Sequence, residues 1–386
     1  MKKNSLSLKI TAILLIIILI NLIGCIEEES KIISKKDIEN IQLEIDNISI
    51  LPDWEDGDYH DYQKTAYKLK YLNLRYPDLA KLFSIGKSVL NRNIWCIKIT
   101  NEKSTGQKYS CDIDGTIHGS EWESGEICLY LAEYLLINYD YNKTITDILD
   151  NSEIYLIPLL NPDGRQQDMR WNENGIDLNR NFDVHFGRLR GNNFPLGKIF
   201  GKIKLPMFEL PRRGVFTNCG RYPFLEPETA ALRDFIRSLD REDLSFYVNC
   251  HTAVHVIAGT FNVYYKPEYT ITKNEISVFN IYMDWFNENT EYDAVYSDEF
   301  EHAGIGVAYD WVFKEFRVPS FVFELLTLDY EPYFSGGGPH DHLVHWMKAS
   351  LPVLMFLIVN IENLHDWEKP TVEPSFPESV PPVPLS

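Results

Sequence analysis

Cysteine is scarce in this sequence, with 6 in 386 residues and no C-x-x-C spacing. A small disulfide scaffold and a dithiol or zinc-ribbon centre are therefore excluded. Positive charge is also short: 37 Lys and Arg stand against 56 Asp and Glu, for a formal net charge of −19. Such a surface repels an extended polyanion, so nucleic acid is not an expected partner. No apolar run reaches the roughly 20 residues that a membrane-spanning helix needs. No internal repeat is visible. What is abundant is core material: 45% hydrophobic residues and 13% aromatics beside 24% charged ones, a globular composition that excludes wholesale disorder.

The longest apolar run, Ile10–Ile23, follows Lys2, Lys3 and Lys9, as the hydrophobic region of an export signal does. It ends in Leu22-Ile23-Gly24-Cys25, which resembles the lipobox of prokaryotic lipoproteins. The resemblance implies cleavage after residue 24 and a lipid on Cys25, with an uncleaved signal anchor as the open alternative. Either places the remainder outside the cytoplasm, on the outer face of the cell membrane. Residues 25–50 are charged and aperiodic, as a tether is. The last segment, 366–386, holds six prolines and reads as an extended tail. Residues 51–365 are left as one domain.

Within it, "NIWCIKIT" (93–100), "YSCDIDGTIH" (109–118), "EIYLIPLL" (153–160), "LSFYVNCH" (244–251) and "VPSFVFELL" (318–326) are short apolar runs rich in β-branched and aromatic residues, which predicts buried strands. Residues 121–137 carry a helical apolar stripe, and Pro227-Glu228-Thr229 opens a helix reaching about Leu239. Alternation of the two predicts an α/β domain with a mixed, largely parallel sheet flanked by helices. Ala349–Ile361, interrupted by Pro352, reads as a packed C-terminal helix. Most of the cysteines other than Cys25 read as buried apolar residues; their number, five, leaves at least one unpaired, and the sequence does not fix any pairing.

The chemistry concentrates where strands end. His118 and Glu121 are three apart at a loop-to-helix junction, a spacing that lets an imidazole and a carboxylate meet on one ion. Alone, such a pair is equally two solvated side chains. A catalytic zinc takes three protein ligands, and His251 ends another predicted strand; in α/β sheets, sites gather at the carboxyl ends of strands. Glu324 lies in a run apolar enough to predict its burial, which suits either a general base or a salt-bridge partner. Arg165, Arg170 and Arg180 crowd the segment 161–182 with Asn179 beside the last, and an arginine fork suits a terminal carboxylate. Solvated loop charge is the competing reading of each.

Six motifs in order, "HGSEW", "NPDGR", "GIDLNRNF", "EPETAAL", "CHT" and "YDW" followed by "FVFEL", make residues 56–362 similar to the zinc metallocarboxypeptidases of the carboxypeptidase A/B type. The resemblance implies one Zn2+ per chain on His118, Glu121 and His251, and Glu324 as the general base that takes a proton from water and returns it to the leaving amine. It also implies that Arg170 stabilises the oxyanion and that Asn179 and Arg180 hold the free C-terminus of a peptide substrate. The implied partners are peptides and, through the N-terminus, the membrane; a monomer is expected. The position of the family's mobile lid tyrosine falls at His302, Tyr309 stands where a residue lines the pocket for the terminal side chain, and Ser120 replaces a frequent arginine. The connection 184–221 is longer than the resemblance leads one to expect. Two other readings stay open: a γ-glutamyl or cell-wall peptide amidase or amino-acid deacylase on the same fold, and a catalytically silent peptide-binding lipoprotein.

Overall fold

A computed structural model describes residues 59–184, 186, 218–239, 243–252, 256–259, 273–296, 306–325 and 340–366. The chain divides into two compact units, Met1–Ser49 and Ile50–Ser386, and all the described residues belong to the second. In chain order they form α1 (Tyr62–Arg75), β1 (Ala80–Lys87), β2 (Asn93–Ile99), β3 (Tyr109–Asp114), α2 (Trp122–Asn138), α3 (Lys143–Asn151), β4 (Ser152–Ile157) and α4 (Pro162–Gln167). There follow α5 (Pro227–Ser238), β5 (Leu244–Thr252), β6 (Val256–Gly259), α6 (Lys273–Asn289), β7 (Asp293–Tyr296), α7 (Ala308–Phe316), β8 (Ser320–Leu325), α8 (His340–Val359) and α9 (Ile361–His365). All five predicted strands and the three predicted helices are present, with most ends shifted by a few residues and the C-terminal helix starting earlier, at His340.

The eight strands make one mixed sheet in the order β1-β2-β4-β3-β5-β8-β6-β7. Its middle, β4-β3-β5-β8, is parallel, while β2 joins β4 and β6 joins β8 antiparallel. Because side chains alternate across a sheet with period two, each central strand divides its residues between two layers. Cys111 and Ile113 of β3, Phe246, Val248 and Cys250 of β5, and Phe321, Phe323 and Leu325 of β8 enter a core shared with α1, α2, α6, α8 and α9. The intervening residues face the side covered by α5 and α7, where Tyr247 and Val322 pack with Leu232, Tyr309 and Trp311.

That intervening set is where the polar groups are: Asp112 and Asp114 on β3, Asn249 and His251 on β5, and Glu324 on β8. One face of the central strands is thus a conventional core, in which each large apolar side chain contributes roughly 1.5–3 kcal/mol by burial. The other face carries the chemistry.

Helix α2 is apolar around most of its circumference because it lies between the sheet and α8. Helix α8 contains Pro352 and packs as predicted, with Phe356 stacked on Trp285 at a centroid distance of 3.7 Å. No helix among the described residues is long and apolar enough to cross a membrane. Cys96, Cys111, Cys128 and Cys250 are buried free thiols, and Cys219 is buried as well.

Candidate active site

β3 ends at Asp114, and the chain turns through Gly115–Ser120 into α2, with Glu121 at the helix N-cap. Glu121 makes no side-chain cap hydrogen bond, so its carboxylate is left to face the histidines. Ser124 Oγ organises the turn instead, accepting from Thr116 N at 2.8 Å and donating to Glu121 O at 2.5 Å. The loop is seated on the backbone of α4: a Cβ on Gly119 would lie 2.0 Å from the Gly164 carbonyl carbon, so only glycine fits. Asn161 caps α4 at Gly164 N, 2.9 Å away, and donates to Ile117 O. The sequence motifs around His118 and around Pro162 are therefore two halves of one close backbone contact.

From this loop His118 Nδ1 approaches Glu121 Oε1 at 2.7 Å, and from the end of β5 His251 Nδ1 approaches Glu121 Oε2 at 2.9 Å. The two Nδ1 atoms are 3.2 Å apart, and one donor atom from each of the three residues lies within 4.8 Å of the others. All three side chains are buried, so the reading of His118 and Glu121 as a solvated pair is overturned. Burial alone would raise the Glu121 carboxyl, yet the two imidazoles hold it well below the usual carboxylate range. Two imidazoles and one carboxylate turned inward are a donor set that catalytic zinc takes.

The far sides of both rings are held as well. His118 Nε2 meets Asp177 Oδ1 at 3.0 Å, and Asp177 Oδ2 accepts from Arg170 Nε at 2.9 Å. Asp177 also caps the short 3-10 turn Leu178–Arg180, accepting from Asn179 N. Burial opposes its charge, but Arg170 and His118 beside it keep the carboxyl well below its ordinary value. Arg170 reaches further, with one guanidinium nitrogen 3.3 Å from Glu121 Oε1 and 3.2 Å from His118 Nδ1, and stays one-third exposed. His251 Nε2 faces Asn249 Oδ1 at 2.5 Å and Asn179 Nδ2 at 3.1 Å. Neither Asp177 nor Asn249 is singled out by sequence reasoning. Asp177 sits inside "GIDLNRNF", and Asn249 is two residues before His251 on a strand, hence on the same face.

Glu324 stands directly opposite His251 in the parallel β5–β8 register, so both side chains leave the same face. It corrects one expectation: Glu324 is only partly buried, the sole such position in β8. Phe323 and Leu325 on either side enter the core on the opposite face, whereas Glu324 shares the polar face with His251.

Arg180 is buried and donates to the Asn179 carbonyl at 2.7 Å. Asn179 Oδ1 accepts from Ala308 N at 2.9 Å, fixing the start of α7 beside it. Gly306 comes so close that a Cβ would lie 2.2 Å from Arg180 O, and its φ of 63° suits glycine. Tyr309 follows on α7, buried near Val322 and Tyr247. Arg165 departs from the solvated-loop reading: it is buried, with its guanidinium 3.7 Å from the Trp122 ring centroid and a bond of 2.6 Å to His60 O. His302, Cys25 and most of the 184–221 connection lie outside the described residues.

The family model described as zinc carboxypeptidase matches residues 66–333. Bovine (Bos taurus) carboxypeptidase B2 is 25% identical over 286 residues, covering 69% of this chain and 62% of that protein. Mast cell carboxypeptidase A of Mus musculus is 25% identical over 287 residues, covering 69% and 63%. The chain thus spans less than two thirds of the length of these relatives. The solved carboxypeptidase A from Helicoverpa armigera has the same fold, with a TM-score of 0.62, 19% identity, and coverage of 86% of this chain and 81% of that one. A family match over most of the chain, on a carboxypeptidase fold whose strand ends bring together two histidines and a glutamate, identifies this chain as a member of the zinc carboxypeptidase family.

Proposed function

We propose that the protein is a zinc-dependent metallocarboxypeptidase that removes C-terminal residues from peptides, with Glu324 as general base. The observation that carries this reading is the convergence of His118 Nδ1, Glu121 and His251 Nδ1 within 4.8 Å while Glu324 stands opposite His251 on the next strand. These three residues would hold the zinc. When bound, zinc supplies a Lewis acid that polarises a carbonyl and acidifies water.

The remaining roles belong to the chain. Glu324, partly exposed and opposite His251, takes a proton from the attacking water and hands it to the leaving amine. Arg170 keeps its guanidinium beside Glu121 and His118, which suits it to share negative charge developing on the scissile carbonyl. Asn179 and Arg180 form the receptor for the substrate carboxylate, and that demand for a free C-terminus sets the register of cutting. Tyr309 and His302 are the proposed contacts to the terminal side chain and the covering loop. The chain acts as a monomer on the outer face of the membrane, held through a lipid on Cys25.

The test uses the zinc-loaded full chain with matched free-acid and C-terminally amidated peptides, with and without chelator, read by mass spectrometry. Stepwise loss of residues from the free acids alone, abolished by chelator, is expected. Glu324→Gln should lower turnover by a factor of roughly 10²–10⁴ with zinc retained. Equal cutting of amidated peptides would sink the exopeptidase reading, and undiminished turnover of the variant would remove Glu324 from the base role.

A further inference from the structure

Behind His251 lies a second layer of polar side chains. Asp114 and Asn249 are opposite one another in the parallel β3–β5 register, and both are fully buried. Asp114 Oδ1 accepts from Asn249 Nδ2, and Asp114 Oδ2 accepts from the Tyr247 hydroxyl. Asp114 therefore decides which end of the Asn249 amide is which: a flipped amide would press its oxygen against a carboxylate oxygen. With the nitrogen turned to Asp114, Asn249 Oδ1 faces His251 Nε2 at 2.5 Å.

An oxygen acceptor at that distance requires a proton on Nε2. The other neighbour of Nε2, Asn179 Nδ2 at 3.1 Å, cannot take that proton, because Asn179 Oδ1 is already committed to Ala308 N. With Nε2 keeping its proton, Nδ1, the atom that faces Glu121 and His118, is the ring nitrogen left to offer its lone pair to a metal. We propose that Asp114 and Asn249 are positioning residues for the metal site, an Asp–Asn–His relay that fixes His251 in the Nε2–H tautomer and aims Nδ1 at the metal. His118 is backed by a carboxylate, Asp177, whereas His251 is backed by a neutral amide. The relay thus aims the ring without placing a second full negative charge behind the ligand set.

The inference rests on His118, Glu121 and His251 being the metal site, and its test separates the two claims. In zinc-loaded full-length protein labelled with ¹⁵N-histidine, two-bond nitrogen–proton spectra report which nitrogen of each ring carries the proton. Zinc affinity is measured in parallel by chelator competition. The parent should show His251 as a single Nε2–H tautomer and bind one zinc. Asn249→Val, close in volume and suited to a strand, should show mixed tautomers and bind zinc about 10–100-fold more weakly. Asp114→Asn still offers an oxygen to Asn249 Nδ2 and should keep the parent tautomer; Asp114→Val should lose it. Melting curves check that each variant folds, and Asn249→Ala replaces Asn249→Val if that variant does not.

If the parent binds zinc and the Asn249 and Asp114→Val variants match it in tautomer and affinity, the relay is refuted alone. If the parent binds no zinc, the metal-site reading fails and the relay with it.

Discussion

Asp112 offers a sharp test of how this sheet is balanced. It is fully buried on β3, flanked in register by Tyr155 and Tyr247, and among the described residues neither carboxyl oxygen has a hydrogen-bond partner. Burial, with the neighbouring Asp114 charge, pushes its carboxyl well above the ordinary range, so the folded chain keeps it protonated where an unfolded chain, near 3.9, does not. An unpartnered buried polar group costs about 1–3 kcal/mol. Asp112→Val removes that cost and adds a residue that strands favour. The expected gain is therefore about 1–3 kcal/mol, or ~2–5 °C in Tm for a domain of roughly 300 residues with ~2.1 cal/mol/K of unfolding entropy per residue.

The sign with pH follows from linkage. For a raised carboxyl, stability is fully present below the unfolded value and is lost as pH rises toward the folded value. Between about pH 4 and the raised folded value the native state holds the extra proton, and the parent loses up to ~1.4 kcal/mol per pH unit from this group. The variant lacks that slope, so its advantage should widen from pH 5 to pH 7. Urea unfolding of both proteins at the two pH values measures it. Equal stability and equal slopes would refute the claim that Asp112 is a buried, neutral, unpartnered acid.

Two other perturbations probe the site itself. Gly306→Ala would set a Cβ 2.2 Å from Arg180 O at a φ of 63°, costing about 1–3 kcal/mol in strain; KM for free-acid peptides should rise about tenfold as Arg180 is displaced, and an unchanged KM would show that Arg180 does not hold the carboxylate. Asp177→Ala removes both the His118 Nε2 partner and the Arg170 Nε acceptor, so zinc affinity by chelator competition should fall about 10–100-fold. Because the Asp177 carboxyl is held low, its stabilisation is present above about pH 4 and fades as pH falls further. The parent should thus lose more stability than the Asp177→Ala variant on acidification, and parallel losses would count against this account.

The sequence alone determined what depends on local pattern. Apolar, β-branched runs marked the five central strands because a strand buried on both faces needs such residues along most of its length. His118, Glu121, His251 and Glu324 were legible as candidates because they fall near strand ends and interrupt apolar runs; their proposed roles came from the ordered motifs that resemble the zinc carboxypeptidases. Tertiary structure decided what depends on who lies opposite whom. β1, with its mostly half-exposed residues, gives no clean apolar signal, and the antiparallel flanks of the sheet follow from pairings that no window of sequence contains. Glu324 emerged partly open on the polar face beside His251, and Arg165 proved buried because Trp122 and His60 fold onto it. Asp114 and Asn249 are separated by 135 positions in the chain. Periodicity states that each faces inward; only the register of β3 against β5 makes them one hydrogen-bonded relay.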